Sequence, residues 1–275
     1  MTDPAPSPVI VTVAPNGARK SKSDHPALPL TAREIAQTAV ECTEAGAAMI
    51  HLHVRDDAGV HTLDPDRYQA AIRALKQAVG ERLVIQVTSE AVDMFTPEQQ
   101  MTAIRMVRPE AVSLAIRELI PDREHERPAA EFFQWLSTER VVPQYILYSV
   151  DELKRYRELL NREVIPSTPH WLLFVLGRYT RGQTSDPRWL VPFVAELDQD
   201  MPWSVCAFGP QEHACAVCAA TLGGHARVGF ENNLFLKDGS RAANNAELIA
   251  QLRTTIDALG RPLATAEDLR ARFSW

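Results

Sequence analysis

The chain has little cysteine and no long apolar run. Cys42, Cys206, Cys215 and Cys218 are its four cysteines among 275 residues, too few for a disulfide scaffold of this size. Such usage suits a reducing cytoplasm. Cys215-Ala-Val-Cys218 is a lone C-x2-C. No second pair completes a four-cysteine zinc site, and its alanine-rich surroundings point to helix packing. No apolar stretch approaches the roughly 20 residues that a membrane span needs. The start, Met1 to Pro8, carries Asp3 and three prolines, with neither a basic n-region nor an apolar h-region. It reads as a loose tail, not a signal peptide. Positive charge is not in excess: 29 Lys and Arg face 35 Asp and Glu, a net charge of −6. That balance argues against a general nucleic-acid footprint. No Gly-x-Gly-x-x-Gly follows the first strand-like run, which weakens a dinucleotide-binding reading. No linker divides the chain, and no sequence repeat is visible.

Apolar residues make up 45% of the chain, ample for a sizeable core. Strand-like and helix-like runs alternate throughout. Strands are expected at Val9–Ala14, from Met49 to Asp56, at Leu83–Thr88, Ala111–Ile116, Val141–Tyr148, His170–Gly177, Trp203–Gly209 and Ala226–Phe230. Capping boxes at Thr31-Ala-Arg-Glu34 and Thr96-Pro-Glu-Gln99 open two of the helices. Asp64-Pro65 and Ser149-Val-Asp-Glu152 open two more. A helix is expected over Ala129–Glu139, and a weaker one after the polar loop Arg178–Pro187. Further helices are expected over Gln211–Leu222 and Asn245–Leu259. Eight βα units of this length predict a single (β/α)8 TIM barrel over residues 1–275, with a short N-terminal tail and a C-terminal extension near Thr265. An open doubly wound sheet is the alternative.

Barrel enzymes carry their chemistry at the C-terminal ends of strands. The second strand ends in His51-Leu-His-Val-Arg-Asp56. Strand alternation puts His51, His53 and Arg55 on one face. Two imidazoles so placed can converge on a metal, or serve as hydrogen-bonded core histidines. On the eighth strand Arg227, Gly229 and Glu231 share a face. In a closed barrel only strand 1 separates strands 8 and 2, so Glu231 is the natural third ligand. Two histidines, a glutamate and an open position make a catalytic zinc arrangement. The competing reading is an ion pair of Glu231 with Arg227 or Arg55. Gln86, Thr88 and Glu90 share the face at the third strand's end. Ser113, Arg117 and Glu118 follow on the fourth, and Arg178 and Arg181 follow the sixth. Arg19 lies just after strand 1. So many arginines suit an anionic substrate, although Arg55 with Asp56, or Arg117 with Glu118, would equally make surface ion pairs.

Several stretches together resemble the beta-keto acid cleavage enzymes, the family of 3-keto-5-aminohexanoate cleavage enzyme. They are Glu44-Ala-Gly-Ala-Ala with the His-Leu-His-Val-Arg-Asp run, Phe174-Val-Leu-Gly, and Gly223-Gly-His-Ala-Arg-Val-Gly-Phe-Glu-Asn-Asn. Asn245-Ala-Glu-Leu and Gly260-Arg-Pro-Leu-Ala-Thr also fit, so the resemblance spans nearly the whole length. It implies a zinc-bearing barrel that exchanges acyl groups between a beta-keto acid and acetyl-CoA, giving acetoacetate and the CoA ester of the remaining acid. It implies His51, His53 and Glu231 as zinc ligands and Arg227 as the active-site arginine. It puts Thr88 where the family has a serine and Ser113 at the place of a strand-4 hydroxyl. It also implies a homo-oligomer, a tetramer.

Two departures from the family matter. Many members carry an aspartate directly after the metal glutamate, where this chain has Asn232, which cannot act as a base. Glu90 or Glu118 is the candidate replacement. The aminohexanoate enzyme has a glutamate in the first βα loop, where this chain has Arg19. Like charges about 4 Å apart cost roughly 4 kcal/mol at an effective dielectric near 20, enough to reject an aminated substrate. A beta-keto dicarboxylate such as 3-oxoadipate or 3-oxoglutarate is therefore expected, with Arg19 as its cation and Arg117 and Arg178 reinforcing it. Arg19 pairing with Asp24, or binding a CoA phosphate, is the competing reading. Two other functions fit less well. One is an amidohydrolase-like metal hydrolase, which needs further histidines at strand tips, whereas His170 and His225 stand at strand beginnings. The other is a catalytically silent ligand-binding barrel, which Asn232 would suit.

Overall fold

The structure, a computed structural model, describes residues 7–167, 171–198 and 201–273. His170 and the tail before residue 7 lie outside the described residues. Eight parallel strands close a barrel: β1 (Val11–Val13), β2 (Met49–Leu52), β5 (Val84–Thr88), β6 (Ala111–Ala115), β7 (Val142–Leu147), β8 (Leu172–Leu176), β9 (Trp203–Ala207) and β10 (His225–Val228). Each strand pairs with its neighbours in chain order, and β10 closes on β1. Between β2 and α2 (Pro65–Val79) the chain adds a two-stranded antiparallel ribbon, β3 (Val54–Arg55) and β4 (His61–Thr62). Helices α1 (Ala32–Ala45), α2, α3 (Pro97–Val107), α5 (Glu126–Thr138), α6 (Val150–Asn161), α7 (Val191–Ala195), α8 (Glu212–Thr221) and α9 (Asn245–Ala258) wrap the outside, and α4 (Ile116–Leu119) is a single turn. The fold is the expected (β/α)8 barrel.

The helix starts are where the capping chemistry places them. The hydroxyls of Thr31 and Thr96 accept from the N3 amides of α1 and α3, and the N3 side chains return the bond. The Ser149 hydroxyl accepts from the Glu152 amide at the start of α6. Cys215 and Cys218 sit in α8 as free thiols, Cys215 buried. No helix among the described residues is long and apolar enough to cross a membrane.

Apolar side chains from the strands' outer faces, among them Val11, Val13, Ile50, Leu52, Ile85 and Val87, form one core with the helices. The barrel interior divides along its axis. At the floor, where strands begin, Ile10, Met49, Val84 and Trp171 pack together, and α10 (Ala266–Phe273) covers them with Leu269 and Phe273. Phe273 stacks on Trp171 with ring centroids 5.0 Å apart. The chain's two arms meet here. Val9 bridges Leu263, and Arg261 donates to the Ser7 carbonyl. One layer higher the interior turns polar, with His51, Gln86, Ser113, Gln144 and Arg227 all buried.

Three local expectations need correction. The second strand stops at Leu52, and the chain restarts in the ribbon, so Arg55 does not continue the face of His51 and His53. Arg55 instead donates to the carbonyls of Gly17, Ala18, Lys20 and Gly59, clamping the first βα loop. The eighth strand ends at Val228, not Phe230. There the backbone at Gly229 has φ 142°, and a β-carbon would collide with the Ala14 carbonyl. The helix expected from Ala129 starts at Glu126, and α4 precedes it.

Candidate active site

Three side chains converge at the mouth. β2 ends by sending His51 inward, and the break after Leu52 turns His53 toward it. The bend after β10 brings Glu231 over, with its amide donating to the Ala14 carbonyl on the adjacent strand's exit. The two Nε2 atoms are 3.0 Å apart, and Glu231 Oε2 lies 3.5 Å from His51 Nε2 and 3.4 Å from His53 Nε2. Four ligands set tetrahedrally about 2.0–2.1 Å from a zinc ion stand roughly 3.3–3.4 Å from one another. The donor set therefore has the spacing of one face of such a tetrahedron.

The His51 tautomer agrees with that fit. Gln86 donates through Nε2 to Gln144 Oε1, which turns its own Oε1 to His51 Nδ1 at 2.8 Å. The proton of His51 is thereby held on Nδ1, leaving Nε2 bare as a ligand must be. Glu231 Oε2 is buried without a hydrogen-bond partner. A buried carboxylate oxygen left in this state is costly unless a cation faces it. Burial, and next the Arg227 charge, push the His51 pKa well below its usual value, so the ring is neutral. Burial works to raise the Glu231 pKa, but the Arg227 charge beside it outweighs that and holds the carboxyl well below the ordinary range. A neutral His51 imidazole beside a carboxylate suits a divalent cation.

Arg227 stands against this set. Its Nη2 donates to Glu231 Oε1 at 3.1 Å and to Cys206 Sγ at 3.3 Å. Its Nε and Nη1 are buried with no partner. A pocket opens over the set, lined by His51, Thr88, Glu90, Glu118, Arg227 and Glu231, with apolar walls from Leu114, Ile146, Val175 and Phe208. A second, wider cavity adjoins it and carries Arg19, Lys20 and Asp24. Glu90, Arg178, Phe208 and Glu231 line both.

The remaining sequence candidates divide. Thr88 lines the inner pocket, and its hydroxyl accepts from the Glu90 amide at 3.0 Å. Glu118 lines the same pocket and accepts from the Ala91 amide and Gln100 Nε2. Burial pushes its pKa up to about 6. Arg178 reaches Glu90 at 3.7 Å. Ser113 is buried, with its hydroxyl unpartnered, but lines neither cavity. Asn232 is buried with Nδ2 3.9 Å from Cys206 Sγ, and it too lines neither cavity. The expected inward Arg117 is not found in the pocket wall. Its guanidinium is held by Glu152, not by Glu118, and lies 4.2 Å over the Tyr148 ring. Arg19 is exposed on the wall of the outer cavity.

Several supporting residues escaped the sequence reading. Gln144 completes the amide chain behind His51; a glutamine within an apolar strand was its only signal. Lys20 Nζ donates to the Glu231 carbonyl at 2.6 Å. Glu212 accepts from the Gly229 amide and from Asn233 Nδ2, bracing the bend that carries Glu231. Nothing in the sequence pattern marks either. His225 stands at the barrel floor, where its Nδ1 accepts from the Ile10 amide, so it does not join the ligand set.

A closed barrel with two histidines, a glutamate and a buried arginine meeting at its C-terminal mouth defines a barrel enzyme. The chain belongs to the beta-keto acid cleavage enzyme family, whose model matches residues 8–274. It is 30% identical over 269 residues to the 3-keto-5-aminohexanoate cleavage enzyme of Acetoanaerobium sticklandii, covering 95% of this chain and 96% of that one. It is 28% identical to the 3-oxoadipate:acetyl-CoA acetyltransferase of Cupriavidus necator, covering 96% and 94%. Among solved structures, apo ObcA has a similar fold, with a TM-score of 0.70 at 17% identity; the match covers 90% of this chain and 66% of ObcA.

Proposed function

We propose that this enzyme exchanges acyl groups between a beta-keto acid and acetyl-CoA, giving acetoacetate and the CoA ester of the remaining acid. Its resident metal is zinc, held by His51, His53 and Glu231. One observation carries the reading: three donors at tetrahedral spacing stand beside a buried guanidinium with two free nitrogens. When bound, the ion supplies Lewis acidity toward the substrate's keto oxygen. One of the unpartnered Arg227 nitrogens, Nε or Nη1, takes a substrate carboxylate oxygen in a charge-assisted hydrogen bond. Leu114, Ile146, Val175 and Phe208 keep water from the reacting carbon. Thr88 stands ready to hydrogen-bond the substrate.

The substrate side chain is anionic. Arg19 and Arg178 line the outer cavity, where a beta-keto dicarboxylate's second carboxylate would reach. The Cupriavidus relative, a 3-oxoadipate:acetyl-CoA acetyltransferase, supports a 3-oxoadipate-like acid. Assembly as a homo-oligomer, a tetramer by resemblance to the family, belongs to the same proposal, and light scattering checks it.

A panel of beta-keto acids assayed with acetyl-CoA for acetoacetate tests the reading. The expected order is 3-oxoadipate and 3-oxoglutarate first, with aminated and apolar acids behind. Arg19→Glu should narrow or reverse that preference; unchanged selectivity would remove Arg19 from the substrate site. Metal analysis should find about one zinc per chain in the wild type and little in His51→Ala, which should also be inactive. Full activity without metal would end the zinc assignment.

A further inference from the structure

The proposed exchange begins by removing a proton from C2 of the beta-keto acid, and three carboxylates line the inner pocket: Glu90, Glu118 and Glu231. Glu231 is committed to the two histidines and Arg227. Glu90 leans on Arg178 and stands at the seam between the two cavities. Glu118 lines the inner pocket alone. Both of its donors, the Ala91 amide and Gln100 Nε2, bond the same oxygen, Oε2, at 3.0 and 2.9 Å. Gln100 is itself locked by donating to the Ser89 carbonyl. Oε1 makes no hydrogen bond among the described residues. One carboxylate oxygen is thus anchored and the other is left for a ligand. Asn232, for its part, is turned to Cys206 and is no base.

We propose that Glu118, through Oε1, is the group that accepts the substrate's C2 proton; the inference rests on the proposed acyl exchange. The C2–H bond breaks, and the proton passes to Oε1. The bonding pair spreads into an enolate whose negative charge faces Arg227. C2 then bonds to the acetyl carbon as the thiolate of CoA departs. That thiolate adds to the original keto carbon, and the bond from this carbon to C2 breaks. Glu118 returns its proton to C2 of acetoacetate, so the enzyme ends as it began and no further reactant is needed. The charges facing Glu118 fit the task. Burial raises its affinity for a proton, and Glu90 adds to that effect. The Ala91 and Gln100 donors and Arg117 oppose it, and Arg117 is partly neutralised by Glu152. Tyr148, which also lines the pocket, is held neutral by burial. The outcome, a pKa of about 6, leaves the group ionised but still basic at neutral pH.

The test measures acetoacetate formation across pH for the wild type, Glu118→Gln, Glu118→Asp and Glu90→Gln, with zinc content and circular dichroism in parallel. Wild-type kcat should fall on the acid side with a midpoint near the Glu118 value of about 6. Glu118→Gln should lose about 100-fold or more in kcat while keeping its zinc, fold and KM, and its acid limb should vanish. Glu118→Asp should recover part of the rate together with the limb, and Glu90→Gln should keep the limb but move it to lower pH, because the neighbouring charge that helps raise the Glu118 pKa is gone. An active wild type whose Glu118→Gln variant stays within about threefold, or keeps the limb, overturns the assignment and leaves the exchange reaction standing. A zinc-loaded wild type inactive on every beta-keto acid overturns both.

Discussion

At Gly17 a β-carbon has no room. The residue sits at φ +61°, and a β-carbon there would lie 2.5 Å from Glu231 Cγ. The absent side chain is what lets the first βα loop press against Glu231, the third of the proposed metal donors. Gly17→Ala should therefore do two things. Left-handed backbone for a non-glycine costs about 1–2 kcal/mol, a melting point a few degrees lower. The collision should also push Glu231 off its partners, so the purified variant should retain well under half of the wild-type metal. A variant with full metal and activity would show that Glu231 has slack. At this scale much was legible. Alternation nominated His51, His53 and Glu231 together, and the structure brings them together although β2 ends at Leu52 and β10 at Val228. Arg55 was misjudged because it lies in the ribbon, paired with His61, and not on β2. Arg117 was misjudged because its partner, Glu152, is 35 residues away in sequence.

The elements show the same division between local and distant causes. Helix starts were legible because a cap is made within four residues: Thr31, Thr96 and Ser149 each bond the amide three residues on. Strand ends were not, because closure decides them. β10 stops where Gly229 meets Ala14 on another strand, a contact between residues more than two hundred positions apart. The first βα loop depends on β3 in a comparable way. Arg55 is buried, and its four carbonyl acceptors lie in that loop and in the ribbon turn. Arg55→Ala should destabilise the fold by about 3 kcal/mol, because charge-assisted bonds of roughly 1.5–3 kcal/mol are lost and the carbonyls are left without donors. Equilibrium urea unfolding measures this. Arg55→Lys should recover only part of the loss, since an ammonium cannot span the same fork. A loss below about 1 kcal/mol in Arg55→Ala would mean that the loop holds itself.

Across the whole molecule, chemistry and closure occupy opposite ends. The mouth carries the donor set and both cavities; the floor carries Trp171, Leu269 and Phe273. Removing Ala266–Phe273 should uncover that floor. Burying Leu269 and stacking Phe273 on Trp171 together contribute about 2–4 kcal/mol, which corresponds to a melting point roughly 5–10 °C lower. The truncated enzyme should keep its KM and metal at low temperature, because nothing removed lines either cavity. A raised KM with unchanged melting would place α10 in communication with the mouth. The arms that meet at the floor have a practical corollary. Ser7 and Arg261 touch, and Phe273 lies under Trp171, so both ends of the described chain face away from the substrate entrance. A fusion partner or surface tether attached beyond either end would hang beneath the barrel like a stem. The mouth would then point into solution, open to acetyl-CoA, whichever end is chosen for attachment.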